Sequence, residues 1–211
     1  MGPAIKTKFL ALGLDVVAAE SGLLSEQAAN ELVASVEQID ILVANFAEAP
    51  MTGPVQSILN EDWLHLFDVL VHPLMYISRA VVPQMLARKS RKIIAVTSAA
   101  PVKGLANNSA YSAARGAQNA FIKSIGLELA RSNIQANAIA QNYINNQTYY
   151  PNEILGNEKF LDHVRRHVPT GKIGAAEETA EETAELAAYL AGENCRHMVG
   201  QVIPLAGGWV T

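Results

Sequence analysis

Cysteine and charge are both scarce in this 211-residue chain. The single cysteine, Cys195, excludes an internal disulfide and offers no zinc-ligand set, so we expect a reducing, cytoplasmic location. Only 17% of the residues are charged, and 16 Lys and Arg against 20 Asp and Glu give a net charge of −4. No long basic run occurs, so nucleic acid is not an expected partner. The sequence shows no apolar stretch that approaches the roughly 20 residues of a membrane span, so no membrane partner is expected either.

Apolar side chains, in contrast, make up 50% of the chain. This proportion excludes a disordered protein, and 211 residues suit one α/β domain better than two. No linker, repeat or low-complexity tract interrupts the sequence. We therefore predict a single domain over residues 1–211.

Apolar periodicity predicts strands that alternate with helices along the whole chain. The near-continuous apolar run Ile39–Asn45 is typical of a parallel strand that is covered on both faces. Pro73 and Pro83 are expected to bend or interrupt the longest helix. The alternation predicts an α/β fold with a single doubly wound parallel sheet of the Rossmann type. The predicted helices cover residues 3–12, 25–37, 60–88, 111–131, 153–167 and 177–191, and the predicted strands cover residues 15–19, 39–45, 92–97, 134–140 and 201–205.

Three polar residues stand where such a sheet binds ligands. Ser98 follows the strand 92–97, and the crevice beyond the carboxyl ends of the strands is the usual ligand site. Tyr111 and Arg115 are four residues apart at the start of a helix, so they share one face, and Arg115 leans back towards Tyr111. A guanidinium favours the phenolate form of a nearby phenol, which can then act as a base. Spacing alone leaves the alternative of a capping serine, a rim tyrosine and a solvated arginine open.

A histidine pair offers a weaker candidate for a metal site. His163 and His167 are four residues apart on a predicted helix, as metal ligands can be. Arg165 and Arg166 lie between them, and no glutamate does. We therefore expect no metal.

The Ser98, Tyr111 and Arg115 pattern, with twelve and then three intervening residues, resembles the signature of halohydrin dehalogenases. These enzymes are relatives of the short-chain dehydrogenases/reductases, which carry lysine at the arginine position. The likeness covers nearly the whole chain. The segment 39–45 is similar to a family strand that ends in Asn-Ala-Gly, although here Phe46 and Ala47 follow. Segments 169–174 and 200–208 resemble the carboxyl-terminal part of the family.

The sequence also differs from that of a working dehydrogenase at several positions, and these differences favour the resemblance to halohydrin dehalogenases. The glycine-rich dinucleotide loop is absent, and Leu70 stands where a dehydrogenase usually has asparagine. The run Gln141–Ile144 replaces a Pro-Gly segment, and Tyr150 with Pro151 matches the end of the halide loop of the dehalogenases. Glu20, at the end of the predicted strand 15–19, is an acid that could bind a ribose, but without the glycine loop we interpret it as an ordinary carboxylate.

The resemblance implies a cofactor-free reaction on vicinal haloalcohols. Ser98 would bind the substrate hydroxyl, and Tyr111, kept anionic by Arg115, would remove its proton. The alkoxide would displace the neighbouring halide to give an epoxide, and small anions would open epoxides in reverse. A divergent NAD(P)-dependent oxidoreductase and a non-catalytic family member are the alternatives.

The same resemblance implies a halide site on the loop after the fourth predicted strand. The side chain of Asn142 and the backbone N–H groups of Tyr143 and Ile144 would donate to the halide. Tyr150 and Phe46 would form its apolar wall. The substrate and halide are then the only small-molecule partners expected.

Two further expectations follow from the family. Its long helices pair into four-helix interfaces, so a homotetramer is expected. Its sheet also begins with a central strand before the first helix. If Gly2 matches a family glycine, the aromatic residue of the halide pocket falls before Met1, so we expect an N-terminally shortened sequence that lacks the first strand.

Overall fold

The sheet of this protein is parallel throughout the described residues. The computed structural model describes residues 1–19, 22–88 and 91–210. Four strands lie side by side in sequence order, which confirms the predicted α/β fold with a parallel sheet. The strands are β1 (Ile41–Ala44), β2 (Arg91–Ser98), β3 (Ile134–Gln141) and β4 (Val202–Leu205).

The two central strands are the longest and the most buried. In β2 and β3, all residues except one at an end are buried, as expected for parallel strands covered on both faces. They pair over their full length, from Arg91 opposite Ile134 to Ser98 opposite Gln141. This register brings Ser98 and Gln141 to the same edge of the sheet.

Helices cover both faces of the sheet, as in a doubly wound fold. Alternate residues of a strand point to opposite faces. Ile93 therefore joins a core with Leu74 and Ile122, whereas Ile94 joins a second core with Phe9 and Leu190. The helices are α1 (Gly2–Ala11), α2 (Glu26–Ala34), α3 (Asn60–Leu66), α4 (His72–Arg88), α5 (Ala100–Lys103), α6 (Ser109–Leu129), α7 (Asn152–Leu155), α8 (Glu158–His167) and α9 (Ala176–Ala191).

The predicted strand at residues 15–19 is wrong. These residues form no regular secondary structure, and the side chain of Val17 is 62% exposed. Strand backbone groups need a neighbouring strand, and among the described residues the edge strand β1 pairs with β2 alone. Glu20 lies outside the described residues.

The longest predicted helix is interrupted, although neither proline ends it. A π-helical turn at Phe67–Val71 separates α3 from α4, and within it the N–H of His72 donates to the carbonyl of Phe67. Pro73 follows immediately, at the start of α4, and Pro83 lies inside that helix. The predicted helix 153–167 is likewise two helices, because Asn157 caps a new helix with its side chain.

The stretch Asn60–Arg88 is long and apolar enough to cross a membrane by length and composition alone, and an 18-residue window within it has a mean hydropathy of 1.3. The sequence-based expectation of no such stretch was therefore wrong. In the structure Leu66, Leu70, Val81 and Met85 of this stretch are fully buried within the protein. These four side chains therefore belong to the cores of the α/β fold, whereas Leu64 and Leu86 of the same stretch are exposed.

Candidate active site

Ser98 is the last residue of β2 and is held there by neighbours on both sides. Its carbonyl accepts from the Asn119 side chain at 3.0 Å, and the Ala99 N–H donates to the Gln141 carbonyl at 3.0 Å. The N–H of Ala100 donates to the Ser98 hydroxyl oxygen at 3.1 Å. The hydroxyl hydrogen has no acceptor among the described residues, so it is available to a ligand in the crevice.

Tyr111 and Arg115 meet on the first turns of α6, as their spacing predicts. The Nε of Arg115 donates to the Tyr111 hydroxyl oxygen at 3.0 Å, and the guanidinium carbon lies 5.2 Å from the centre of the Tyr111 ring. Because a guanidinium only donates, the phenol oxygen is the acceptor. The cationic guanidinium therefore lies directly against the Tyr111 oxygen.

Arg115 is not a solvated side chain, since only 3% of it is exposed. Its Nη1 donates to the carbonyl of Phe46 and to the side-chain oxygen of Gln118, both at 2.9 Å, and its Nη2 donates to the Tyr149 hydroxyl at 2.8 Å. Burial alone would lower the pKa of Arg115, but Tyr111 and Tyr149 outweigh it and raise the pKa above its ordinary value. The guanidinium is therefore charged and locked in place.

Gln118 connects this arginine to the π-helical turn. Its side-chain nitrogen donates to the carbonyl of Leu70 at 2.6 Å, while its oxygen accepts from Arg115. The backbone carbonyl of Leu70 is thus linked to Arg115 through Gln118, although Leu70 has a different side chain from the asparagine that dehydrogenases usually carry at this position. Sequence reasoning missed Gln118, but its position three residues after Arg115 on the same helix was a usable signal.

Asn142 organises the loop that follows β3. Its Oδ1 accepts from the N–H of Tyr143 at 2.9 Å and from the Tyr150 hydroxyl at 3.2 Å. Tyr143 has a φ of 51°, in the left-handed region. The Tyr143 N–H, predicted as a halide donor, is therefore already engaged in this structure.

Two other donors of this loop have no acceptor among the described residues. The Nδ2 of Asn142 is buried and unpartnered. The N–H of Ile144 is also unengaged, because its bridge to Gly174 is made by the neighbouring groups of Tyr143 and Asn145. Buried donors of this kind are usually satisfied, and an anion in the cavity would satisfy them.

Aromatic side chains pack the same loop into the protein. The Tyr150 ring stacks on Tyr143 and on Phe160, with ring centres 6.2 Å and 5.6 Å apart. Burial raises the pKa of Tyr150 and of Tyr143, so both hydroxyls stay protonated near neutral pH. Tyr149 was not predicted as a site residue, because no local spacing links it to Arg115, 34 positions away.

A cavity of about 420 Å³ joins these parts at the carboxyl ends of the strands. All eight predicted site residues line it. They are Phe46, Ser98, Tyr111, Arg115, Asn142, Tyr143, Ile144 and Tyr150. The volume lies within the range that is usual for small-molecule sites.

Comparison with known proteins identifies the family. The profile described as enoyl-(acyl carrier protein) reductase matches residues 4–210. The chain belongs to the short-chain dehydrogenase/reductase superfamily. Its curated relatives include a 2-dehydro-3-deoxy-L-rhamnonate dehydrogenase (NAD(+)) of Sphingomonas sp. (strain SKA58), 29% identical over 87% of this chain and 71% of the relative. The chain spans between 59% and 78% of the length of eight such relatives.

Solved structures of two kinds resemble this superfamily member. A halohydrin dehalogenase bound to ethyl (2S)-oxiran-2-ylacetate has a TM-score of 0.80 and 26% identity, over 100% of this chain and 83% of the other. A gluconate 5-dehydrogenase from Burkholderia cenocepacia J2315, in complex with NADP and tartrate, has a TM-score of 0.83 and 25% identity, over 96% and 78%. The fold is therefore common to dehalogenating and dehydrogenating members.

A nicotinamide dinucleotide is the cofactor that the superfamily implies, and the described residues do not fit it. Its pyrophosphate needs a glycine-rich turn between a strand and a helix N-terminus. Among the described residues, the segments that follow β1, β2 and β3 contain no such run of glycines. Arg115 also spends four of its five N–H groups on protein acceptors. We therefore derive no step through a dinucleotide.

The histidine pair of α8 forms no metal site with other residues of the described ranges. The rings of His163 and His167 stack with centres 4.1 Å apart. In residues 1–19, 22–88 and 91–210, no group of three or more His, Cys, Asp or Glu side chains could hold a metal ion. His163 instead lines the cavity, with its Nε2 3.5 Å from the Tyr143 hydroxyl.

Proposed function

We propose that this superfamily member converts vicinal haloalcohols to epoxides without a nicotinamide cofactor, as a halohydrin dehalogenase. The observation that carries the proposal is the buried Arg115, whose Nε donates to Tyr111 in a cavity that also holds Ser98. The likeness to the halohydrin dehalogenase structure supports it.

The reaction needs one base, one hydrogen-bond donor and one anion site. Ser98 donates its free hydroxyl hydrogen to the substrate oxygen and holds it near Tyr111. The Tyr111 phenolate takes the hydroxyl proton, and Arg115 stabilises the phenolate. The substrate oxygen then forms a bond to the adjacent carbon, the carbon–halogen bond breaks, and the halide leaves with the bonding electrons. The products are an epoxide, a halide ion and a protonated Tyr111, which releases its proton to water.

The departing halide is stabilised by the unengaged donors of the loop after β3. Asn142 and Ile144 line the cavity, and the Nδ2 of Asn142 and the N–H of Ile144 have no protein acceptor among the described residues. Tyr150 and Phe46 supply the apolar wall. The same donors would bind cyanide, azide or nitrite, which would open epoxides in the reverse direction.

A halide-release assay tests this function directly. The protein is incubated with a 1,3-dihalo-2-propanol in the absence of nicotinamide, and halide and acid release are followed. We expect release, and we expect Tyr111→Phe to lower kcat by about 10²- to 10⁴-fold, because the general base is lost. Tyr189→Phe is the matched control, since Tyr189 is 52% exposed on α9 and outside the cavity.

An NAD(P)-dependent oxidoreductase is the second candidate, because the curated relative from Sphingomonas is a dehydrogenase. Assays of both activities on one folded sample distinguish the oxidoreductase from the dehalogenase. Oxidation of NAD(P)H with carbonyl substrates, together with no halide release, would refute the dehalogenase. Unchanged halide release in Tyr111→Phe would refute the role of Tyr111.

A further inference from the structure

Two phenol oxygens share one edge of the Arg115 guanidinium. The Nε donates to the Tyr111 hydroxyl at 3.0 Å, and the Nη2 donates to the Tyr149 hydroxyl at 2.8 Å. These two nitrogens form the edge of the guanidinium on which parallel N–H groups bind both oxygens of a carboxylate. The two hydroxyls therefore stand side by side, where the oxygens of a carboxylate would stand. Their rings meet edge to face, with centres 6.4 Å apart.

Among the described residues, no carboxylate forms an ion pair with this buried cation. The described residues that line the cavity include no Asp or Glu, and Arg115 is 3% exposed. A buried charge without a partner is costly. The neighbouring phenol pair is the available source of negative charge, and one shared proton distributes over such a pair as over a carboxylate dyad.

The environment of Tyr149 decides which phenol keeps the proton. Burial raises the pKa of Tyr149 to about 12, and neighbouring Tyr111 adds to the rise against the opposing effect of Arg115. Tyr149 therefore stays protonated near neutral pH. Its oxygen already accepts from Arg115, so its hydrogen is free to point at the oxygen of Tyr111.

We propose that Tyr149 is a positioning residue that donates its hydroxyl hydrogen to the Tyr111 phenolate, so that the base is held by Arg115 and Tyr149 together. This inference rests on the proposed function, in which Tyr111 removes the substrate proton. It also ties the base to the loop after β3, because Tyr149 belongs to the same loop as Asn142 and Tyr150. A loop displaced from the cavity withdraws one of the two donors from the base.

Other titratable groups face this pair but do not replace the donor. Tyr143 and Tyr150 line the same cavity from the loop, and His163 lines it from α8. Tyr150 donates to Asn142 rather than to Tyr111. The hydrogen bond of Tyr143 is made with His163. Removal of the Tyr149 hydroxyl is therefore expected to act on Tyr111 in two ways, by loss of the donated hydrogen bond and through Arg115, whose Nη2 loses its acceptor.

The substitution Tyr149→Phe tests the inference, since it removes one oxygen and keeps the ring. A hydrogen bond to a charged group contributes enough to move a protonation midpoint by about 1 to 2 pH units. We expect the pH midpoint of halide release to rise by that amount, with a roughly tenfold or greater loss of activity at neutral pH. Tyr189→Phe, on the exposed face of α9, is the matched control and should keep the wild-type midpoint.

A second measurement does not need turnover. The chain has six tyrosines, and the near-ultraviolet absorbance of tyrosinate reports the pH at which the first of them ionises. We expect this first ionisation to move to higher pH in Tyr149→Phe, and the difference between the titrations of the wild type and Tyr111→Phe identifies the contribution of Tyr111, since the other tyrosines still ionise in that variant. An unchanged first ionisation in folded Tyr149→Phe would overturn the inference. If the wild type releases no halide, the proposed function fails, and the absorbance titration still decides the role of Tyr149.

Discussion

Gln118 offers the sharpest test of how the buried arginine is held. The side chain is 1% exposed and links the Nη1 of Arg115 to the carbonyl of Leu70, at 2.9 Å and 2.6 Å. The substitution Gln118→Met keeps a similar length but leaves both groups buried without this partner. One of the lost hydrogen bonds involves a charged group and the other a neutral carbonyl. The expected loss in the free energy of unfolding is about 2.5 to 4 kcal/mol.

Urea unfolding measures this loss. For a domain of this size a loss of about 3 kcal/mol lowers the urea midpoint by roughly 1 to 2 M. Circular dichroism and the fluorescence of Trp209, which is 5% exposed, report the transition. The matched control is Gln27→Met, because Gln27 is an exposed helical residue whose side chain donates to Glu31 on the same helix. Its free energy of unfolding should change by less than about 0.5 kcal/mol.

The comparison between the two variants tests whether the hydrogen bonds of Gln118 stabilise the protein. A Gln118→Met midpoint equal to that of Gln27→Met would show that the link between α6 and the π-helical turn contributes nothing to stability. A midpoint lower by the expected amount, with an unchanged slope, would place the loss in the native state.

Two further changes test the packing of the sheet and the anion site. Gly126→Ala should destabilise the protein by about 1 to 3 kcal/mol, because a Cβ there would lie 2.6 Å from the backbone nitrogen of Gly200. Gly116→Ala on the same helix is the control, since its Cβ would make only an ordinary contact and should not destabilise the protein. Equal urea midpoints of the two variants would contradict this prediction. Asn142→Asp replaces the unpartnered Nδ2 with a carboxylate oxygen, and bromide inhibition of the release reaction should weaken about tenfold or more, since like charges repel. An unchanged inhibition constant would remove Asn142 from the halide site.

The local apolar pattern predicted the two central strands correctly and predicted a strand at 15–19 that the structure does not contain. The prediction of residues 92–97 and 134–140 came within one residue of each end of β2 and β3, because their apolar runs are buried on both faces. The run at 15–19 has a similar composition but no strand beside it among the described residues. Strand formation depends on a neighbour, which a local window does not contain.

The sequence predicted an interruption of the helix at 60–88 correctly, but the prolines explain it only in part. The prolines in 60–88 indicated a disturbed helix, and the disturbance is a π-helical turn that ends just before Pro73. Proline lacks a backbone N–H, so the preceding carbonyls must find other donors. Gln118 donates from a different helix to the carbonyl of Leu70 in the π-helical turn, which no local rule would have predicted.

The sequence by itself determined the parts of the site that follow from short spacings. Tyr111 and Arg115 meet because residues four apart share a helix face, and Ser98 reaches the crevice because it ends a buried strand. Tertiary structure alone decided which residues from distant segments contact Arg115. Phe46 and Tyr149 come from loops 69 and 34 residues away, and only the order and register of the strands bring those loops together. The second phenol of the base is therefore a property of the fold, because contacts between distant segments depend on how the whole chain packs.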